Sequence, residues 1–160
     1  MPIYIQRQHP RRVSARLLRR AVKISLSLAG VCDRAVEISI ALVDDAVIRE
    51  LNANYRGMDA PTDVLSFPME QDVAIPGIPR LLGDVVISID TARRQAAAAG
   101  RNLDDELCHL VIHGVLHLLG YDDATTEGYA EMVRQGEAVW RAVQAPDDAT
   151  HPSRGQPDEQ

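Results

Sequence analysis

Two histidines four residues apart, followed by two aspartates, are the side chains of this sequence with the clearest capacity for chemistry. His113 and His117 stand in an apolar segment of helical periodicity, and residues at this spacing share one helix face, with Cβ atoms about 5–6 Å apart. Gly120 follows at a place where helices commonly end, so Asp122 or Asp123 can return toward the imidazoles. Two imidazoles and a carboxylate leave one tetrahedral position open, which is typical of catalytic zinc.

The segment lacks the glutamate of the zinc-protease pattern HExxH. In those enzymes the glutamate follows the first histidine and acts as the general base, whereas Gly114 occupies this place here. A glycine inside a helix costs about 0.5–1 kcal/mol relative to alanine, so we expect another part of the chain to approach its backbone closely. Peptide hydrolysis at this site would lack its usual proton acceptor.

Two neighbouring side chains bear on the surroundings of the histidine pair. His109 lies one turn before His113 but about 12 Å from His117 by helical rise, so His109 and His117 cannot share an ion. We interpret His109 either as a substrate-binding residue of a groove or as a partly buried histidine with a structural partner. Cys108 is rotated by about 100° from His109 on a helix, and we predict that its thiol lies in the core.

Length and composition indicate one globular domain without a membrane segment. The 160 residues are 46% hydrophobic but only 4% aromatic, so aliphatic side chains must fill the core. No apolar run has the length that spans a bilayer, and the N-terminus does not resemble a signal peptide. Two cysteines are too few for a disulfide framework, so we expect a cytoplasmic protein.

The charge distribution favours a polyanionic partner despite the net charge of −6. Residues 1–32 contain seven basic residues and no Asp or Glu. Arginine binds phosphate through a planar fork of donors, so we predict that Arg16 and Arg20 contact substrate. The alternative is a solvated helix face.

Apolar periodicity predicts strands and helices that alternate along one α/β or α+β domain over residues 1–145. The predicted strands are 3–8, 35–43, 63–67 and 83–89, and the predicted helices are 11–28, 45–55, 91–100, 103–118 and 125–143. Asp44 or Asp45 is expected to cap the second helix, and Asp90 or Thr91 the third. Residues 146–160 are expected to be a disordered tail, because they contain almost no large apolar side chain.

A second polar cluster lies between the second helix and the third strand. Arg56 stands next to Gly57 at the expected helix end. Its guanidinium can clamp a phosphate, or it can cap the last carbonyls of its own helix.

Three motifs in order resemble the YbeY family of bacterial metal-dependent endoribonucleases. They are N-x-x-Y-R-x-x-D-x-P-T-D-V-L-S-F-P at 52–68, G-D-V-V-I-S at 83–88 and H-G-x-L-H-L-x-G-Y-D at 113–122. The resemblance covers roughly residues 35–143. It implies a roughly four-stranded mixed sheet flanked by about five helices, with a zincin-like core and zinc in a cleft beside a basic groove.

The resemblance also implies roles for individual residues. The first two metal histidines of the family fall on His113 and His117, with His113 at the catalytic centre, and the groove arginine falls on Arg56. The family motif usually ends G-Y-D-H, whereas this chain has G-Y-D-D, so Asp123 stands in place of the third histidine. Aspartate binds zinc well, but it adds a negative charge to the site, so another divalent metal is an alternative to zinc.

The implied function is that of a zinc-dependent, single-strand-specific endoribonuclease. It would mature the 3′ end of small-subunit ribosomal RNA and act in ribosome quality control, with ribosomal RNA and ribosomal proteins as partners. The alternatives are a metalloprotease or amide hydrolase on the same core, and a ribosome-associated binding protein whose metal is structural. The general base stays open among Asp59, Asp63, Asp122 and a substrate-bound water.

Overall fold

The computed structural model describes residues 3–7, 13–70 and 75–147, the first of these ranges in its backbone only. The elements in chain order are β1 (Ile3–Arg7), α1 (Ala15–Leu28), a 3-10 turn (Asp33–Ala35), β2 (Val36–Val43), α2 (Asp45–Arg56), β3 (Val64–Pro68), β4 (Arg80–Ser88), α3 (Ile89–Ala99), α4 (Leu103–Leu118) and α5 (Thr126–Gln144). Apart from Pro146 and Asp147, the predicted tail lies outside the described residues. None of the described helices has the length and apolar content that crossing a bilayer requires.

The sheet is mixed, in the order β1-β2-β4-β3. β2 runs parallel to β4, and β3 pairs antiparallel with β4 and forms one edge; these three strands are described with their side chains, and the backbone of β1 pairs in parallel with β2. The prediction of a single α+β domain with a mixed sheet and five helices is confirmed. The zincin-like character of the core stays a prediction.

Alternation along the strands gives the sheet two differently covered faces. Ile38, Ile40 and Leu42 of β2 are fully buried in the main core, which α1, α3, α4 and α5 complete. On the other face, Ile48 of α2 packs in a smaller cluster with Leu65. Successive residues of a strand point to opposite faces of the sheet. The alternate apolar residues of β2 therefore all face the larger layer of helices.

Cys108 lies in the main core on α4. Its side chain is fully buried, and burial, with a smaller effect of Asp105 and Asp104, raises the pKa of the thiol to about 12. The prediction of a core thiol is confirmed.

Helix α3 begins directly at the end of β4, and its cap differs from the prediction. The side chain of Ser88 accepts from the backbone N–H of Thr91 at 3.2 Å, whereas the carboxylate of Asp90 accepts from the backbone N–H of Asp45 at 3.0 Å. Asp45 in turn accepts from the hydroxyls of Ser88 and Thr91 at 2.6 and 2.7 Å. The prediction of Asp90 or Thr91 as the cap is wrong because Asp90 stabilises the neighbouring helix α2, which Asp44 caps as expected.

Strand β4 begins at Arg80, three residues before the predicted start at Gly83. Gly83 has a φ of 151° and lies inside the strand, where a Cβ would overlap the carbonyl oxygen of Phe67. Glycine within a strand often marks such a close approach of two backbones. Gly83 was predicted to begin the strand, but it lies inside β4 and permits the close contact with β3.

Candidate metal centre

Helix α4 carries both histidines and has the predicted bounds. It begins after Asn102, whose side chain accepts from the backbone N–H of Asp105 at 2.8 Å, and it ends at Leu118. Gly120 follows with a φ of 97°, which confirms the expected turn. The histidines thus stand in the last turns of a helix that the sheet, α1, α3 and α5 hold in place.

Gly114 lets α4 lie directly against the sheet. A Cβ at this position would be 2.5 Å from Val85 Cγ1 and 3.3 Å from Ser66 Oγ, and the Ser66 hydroxyl donates to the Gly114 carbonyl at 2.9 Å. The expected close approach is confirmed. The place that carries a general base in zinc proteases faces packed sheet residues here and has no room for a glutamate side chain.

The turn after α4 directs the two aspartates differently. Asp122 accepts from the backbone N–H of Ala124 at 2.9 Å, so its carboxylate is used inside the turn. Asp123 Oδ2 lies 3.9 Å from His113 Nε2 and 3.7 Å from His117 Nε2. Of the two aspartates left open by the sequence, Asp123 is therefore the one beside the imidazoles.

The three side chains form a set of donors of the right size for one metal ion. The Nε2 atoms of His113 and His117 are 3.1 Å apart, and the ligand atoms of the set all lie within 4.8 Å of one another. With these separations, a point equidistant from the two nitrogens and Asp123 Oδ2 lies about 2.1 Å from each, the distance at which zinc binds nitrogen and oxygen. The side chain of Asp123 is 43% exposed, so the set is open to solvent.

The hydrogen bond at His117 and the burial of His113 both suit rings that bind a metal ion through Nε2. His117 Nδ1 lies 3.1 Å from the carbonyl oxygen of Tyr121, to which it can donate and so fix its tautomer. Burial, and then the charge of His117, lowers the pKa of His113, while Asp123 and Asp63 oppose the shift. The sequence did not predict the role of Tyr121, although its place in the G-Y-D motif was a usable signal.

His109 lies in a groove between α4 and α5, beside the metal centre. Its ring packs on Trp140 with centroids 4.4 Å apart and planes tilted by 38°, and burial followed by the charge of Arg101 lowers its pKa. The groove has a volume of about 330 Å³ and shares His113 with the metal centre. His109 therefore lies in a groove with Trp140 as its packing partner, and substrate binding by His109 stays a prediction.

Arg56 is the last residue of α2 and lies exposed. The backbone N–H groups of Gly57 and Met58 satisfy the carbonyls at the helix end, so Arg56 is not needed as a cap. Among the residues that the structure describes, no acceptor lies within hydrogen-bonding or ion-pairing distance of its guanidinium. The phosphate-clamp interpretation stays a prediction.

The structure does not bring Arg16 and Arg20 to the metal centre. Arg20 donates to the carbonyls of Val143 at 3.0 Å and Ala145 at 2.7 Å and pairs with Asp147, which satisfies the C-terminal end of α5. Arg16 is exposed and lies 3.3 Å from Asp147. Arg20 has a structural role that its sequence position did not reveal, because the acceptors come from more than 120 residues later in the chain.

The candidates for a general base differ in their availability. Asp59 accepts from the guanidinium of Arg49 at 2.8 and 3.2 Å, and this hydrogen bonding and charge lower the pKa of Asp59. Asp122 is engaged in its turn. Asp63 accepts from the backbone N–H of Val64 at 2.8 Å and from the side-chain amide of Gln95 at 3.3 Å, and its charge acts on His113.

Comparisons with known proteins show what this chain is similar to. The family model described as Endoribonuclease YbeY matches residues 4–144. The endoribonuclease YbeY of Moorella thermoacetica is 48% identical over 132 residues, which cover 79% of this chain and 84% of that protein. That of Roseiflexus castenholzii is 49% identical over 135 residues, covering 82% and 84%. The solution structure of TM1509 from Thermotoga maritima is 26% identical with a TM-score of 0.55, covering 94% of this chain and all of the other.

Proposed function

Because this chain belongs to the Endoribonuclease YbeY family, we propose that it is a hydrolase that cleaves RNA internally, with a divalent metal held by His113, His117 and Asp123. The observation that carries the assignment of the centre is the convergence of two Nε2 atoms and one carboxylate oxygen within 4.8 Å of one another. These donors come from α4 and from the turn that follows it, where they remain open to a substrate.

The chemistry that a divalent ion supplies at such a centre is polarisation of a phosphoryl oxygen and activation of water. The residues of the chain then have to hold the phosphodiester and accept a proton. Arg56 is proposed to hold a phosphate, since its guanidinium is exposed and has no acceptor in the described part of the chain. A fork of charged donors suits phosphate geometry, and it would favour the charge that develops during cleavage.

Asp63 is proposed as the proton acceptor among the carboxylates considered. Asp59 is paired with the charged guanidinium of Arg49 in two hydrogen bonds. Asp122 and Asp63 both accept from neutral donors, so the effect of the carboxylate on His113 decides between them. Asp63 precedes β3, the strand that contacts α4 through Ser66, and its charge acts on His113. A water bound by the substrate is the alternative acceptor. If the 2′-hydroxyl is the nucleophile, it replaces the attacking water, and its proton still has to pass to one of these acceptors.

Zinc is the metal that we propose, because the imidazole-rich set suits it and the family resemblance implies it. The carboxylate of Asp123 adds one negative charge to the set, which weakens the ion as a Lewis acid. Two histidines and one carboxylate are also the set that binds iron in non-haem enzymes, so another divalent metal is the alternative.

The substrate that we propose is single-stranded ribosomal RNA, cut during maturation of the 3′ end of the small-subunit RNA and in ribosome quality control. The ribosome and its proteins are the proposed partners, in the cytoplasm. A peptide-hydrolysing function is disfavoured by the packing at Gly114, where a Cβ would lie 2.5 Å from Val85. A purely structural metal predicts instead that His113→Ala abolishes metal binding and leaves RNA association intact.

Neighbouring aspartates provide a matched test of the metal set. We expect Asp123→Ala to lose both bound metal and RNA cleavage, because the ion would keep only two protein ligands. Asp122→Ala should retain metal, since Asp122 is turned toward Ala124. Elemental analysis of both purified variants, followed by cleavage assays on single-stranded RNA, measures the two effects. Retention of wild-type metal content by Asp123→Ala would contradict the proposed ligand set.

The salt dependence of RNA binding tests the role of Arg56. Arg56→Ala removes one proposed contact with a phosphate, so it should reduce the slope of log affinity against log salt concentration by about one unit. Arg49→Ala on the same helix is the control, because Asp59 already compensates the charge of Arg49. An unchanged slope for Arg56→Ala, measured by fluorescence anisotropy on one oligoribonucleotide, would rule out the clamp.

A further inference from the structure

The groove between α4 and α5 has the properties of a binding site for one flat, partly polar group. Its volume of about 330 Å³ lies near the lower end of the range for small-molecule sites, roughly 300–1,000 Å³. The side chains of Trp140 and His109 line it together with Tyr129, which is 59% exposed at the rim. Aromatic faces of this kind stack with nucleobases in single-stranded RNA.

The groove is continuous with the metal centre because His113 belongs to both. His113 lines the groove, and its Nε2 lies 3.1 Å from that of His117. A group that fills the groove therefore contacts a proposed metal ligand.

The width of the groove depends on a glycine that packing does not require. Gly136 is inside α5, where glycine destabilises a helix relative to alanine. A Cβ at this position would meet only Ile112 Cγ2, at an ordinary distance of 3.9 Å. Gly114 is different, because there a Cβ would lie 2.5 Å from Val85. The absence of a side chain at Gly136 thus leaves space in the groove without serving helix packing.

The charge in the groove selects against phosphate and for a hydrogen-bond donor. Glu137 lines the groove, which contains no lysine or arginine, and within the described part of the chain its carboxylate has no ion pair or hydrogen bond. A carboxylate repels a phosphate and accepts from an exocyclic amino group, as Glu and Asp do toward cytosine N4. A nucleobase with an amino group satisfies both the aromatic walls and the carboxylate.

We propose that this groove binds the nucleobase adjoining the phosphate at the metal centre, and that it prefers bases with an exocyclic amino group. Stacking on Trp140 and Tyr129 provides affinity, Gly136 provides room, and Glu137 discriminates cytosine from uracil, which has a carbonyl in place of the amino group. The inference rests on the proposed function, since it requires RNA at the metal centre.

Trp140 allows the groove to be observed directly, because it is the only tryptophan of the chain. Zinc-loaded protein is mixed with the octamers rC8 and rU8 in a stopped-flow instrument, before cleavage proceeds, and both affinity and Trp140 emission are recorded. We expect quenching by the bound base and binding of rC8 about five-fold or more tighter than rU8. Glu137→Ala should remove this preference.

Filling the groove gives the second arm of the experiment. Gly136→Leu should abolish the quenching and weaken binding of both octamers by at least about five-fold, the lower end for loss of one stacked base. Ala138→Leu is the matched control, because it adds the same side chain at an exposed position that does not line the groove. Tyr129→Ala, a change at an exposed residue, should weaken binding even if Gly136→Leu does not fold.

The outcomes separate the groove from the proposed function. Three results would contradict binding of a nucleobase in the groove: quenching at the wild-type level in Gly136→Leu, an equal loss of RNA affinity in Ala138→Leu, or a preference for cytosine that survives Glu137→Ala. If the wild type cleaves RNA but its Trp140 emission does not respond, the proposed binding of a nucleobase in the groove is wrong and the proposed function stands. If the wild type neither binds nor cleaves either octamer, both are wrong.

Discussion

Gly128 and Gly136 lie about two turns apart on α5, yet alanine is expected to have opposite effects at the two positions. At Gly128 a Cβ would overlap the carbonyl oxygen of Asp122 and lie 3.0 Å from Thr125 Oγ1. At Gly136 the nearest atom would be Ile112 Cγ2 at 3.9 Å. The obstacle at Gly128 is backbone, so it can be relieved only by moving the segment that carries Asp123.

The magnitudes follow from two opposing effects of the added methyl group. Alanine inside a helix gains about 0.5–1 kcal/mol over glycine, while overpacking costs about 1–3 kcal/mol. Gly136→Ala should therefore stabilise the protein by about 0.5–1 kcal/mol, and Gly128→Ala should destabilise it by roughly 0.5–2 kcal/mol. Displacement of the Asp123 carboxylate should lower zinc affinity by about 10–100-fold, as loss of a residue that orients a ligand usually does.

Urea unfolding followed by circular dichroism measures the stabilities, and competition with a chromophoric chelator measures zinc affinity. Gly136→Ala serves as the control for helix propensity, since it adds the same methyl group to the same helix. If Gly128→Ala were as stable as Gly136→Ala and bound zinc as tightly as the wild type, the inference that Gly128 positions the third ligand would be refuted.

Two other changes test the core thiol and the arginine of α1. Ellman's reagent at pH 8 should modify the exposed Cys32 and leave Cys108 unreacted in the native protein, because burial raises the pKa of Cys108 to about 12. Reaction of both thiols in native protein at pH 8 would contradict the burial of Cys108. Since the pKa of Cys108 in the folded state lies above the ordinary value of 9.0, ionisation of this thiol opposes folding. The free energy of unfolding should therefore fall as the pH rises from about 9 toward about 12. Arg20→Ala should destabilise the protein by about 1–2 kcal/mol in urea unfolding, because charged hydrogen bonds to the end of α5 are lost, with RNA affinity unchanged. The exposed Arg19→Ala is its control, and a loss of RNA affinity specific to Arg20→Ala would restore Arg20 as a substrate contact.

The sequence predicted those features that depend on local periodicity and on residues close together in the chain. Helix α4 has its predicted ends at Leu103 and Leu118, because an apolar face and a following glycine are local signals. The spacing of His113 and His117 likewise fixes their common face. The placement of Asp123 beside them was one of two predicted alternatives, and the choice depended on which carboxylate the turn engages.

The features that the sequence did not predict depend on groups that meet only in the folded chain. Arg20 was interpreted as a phosphate contact, since nothing near it in the sequence identifies the carbonyls of Val143 and Ala145 as its acceptors. Trp140 was not assigned to the site, because its contact with His109 joins two helices. Periodicity places both residues on helices, but only packing decides which partners face them.

Packing at Gly114 and the carboxylate of Asp123 together limit how the centre can work. Because Gly114 is committed to contact with β4 through Val85, a proton acceptor has to come from outside α4, and β3 is preceded by Asp63. Because the proposed third ligand Asp123 carries a negative charge, we expect the centre with its ion to attract a phosphodiester less strongly than a centre of three neutral imidazoles would. In the proposed function, the exposed guanidinium of Arg56 and stacking in the groove next to His113 supply further affinity, so we expect binding of RNA to depend on groups on both sides of the metal centre rather than on the ion alone.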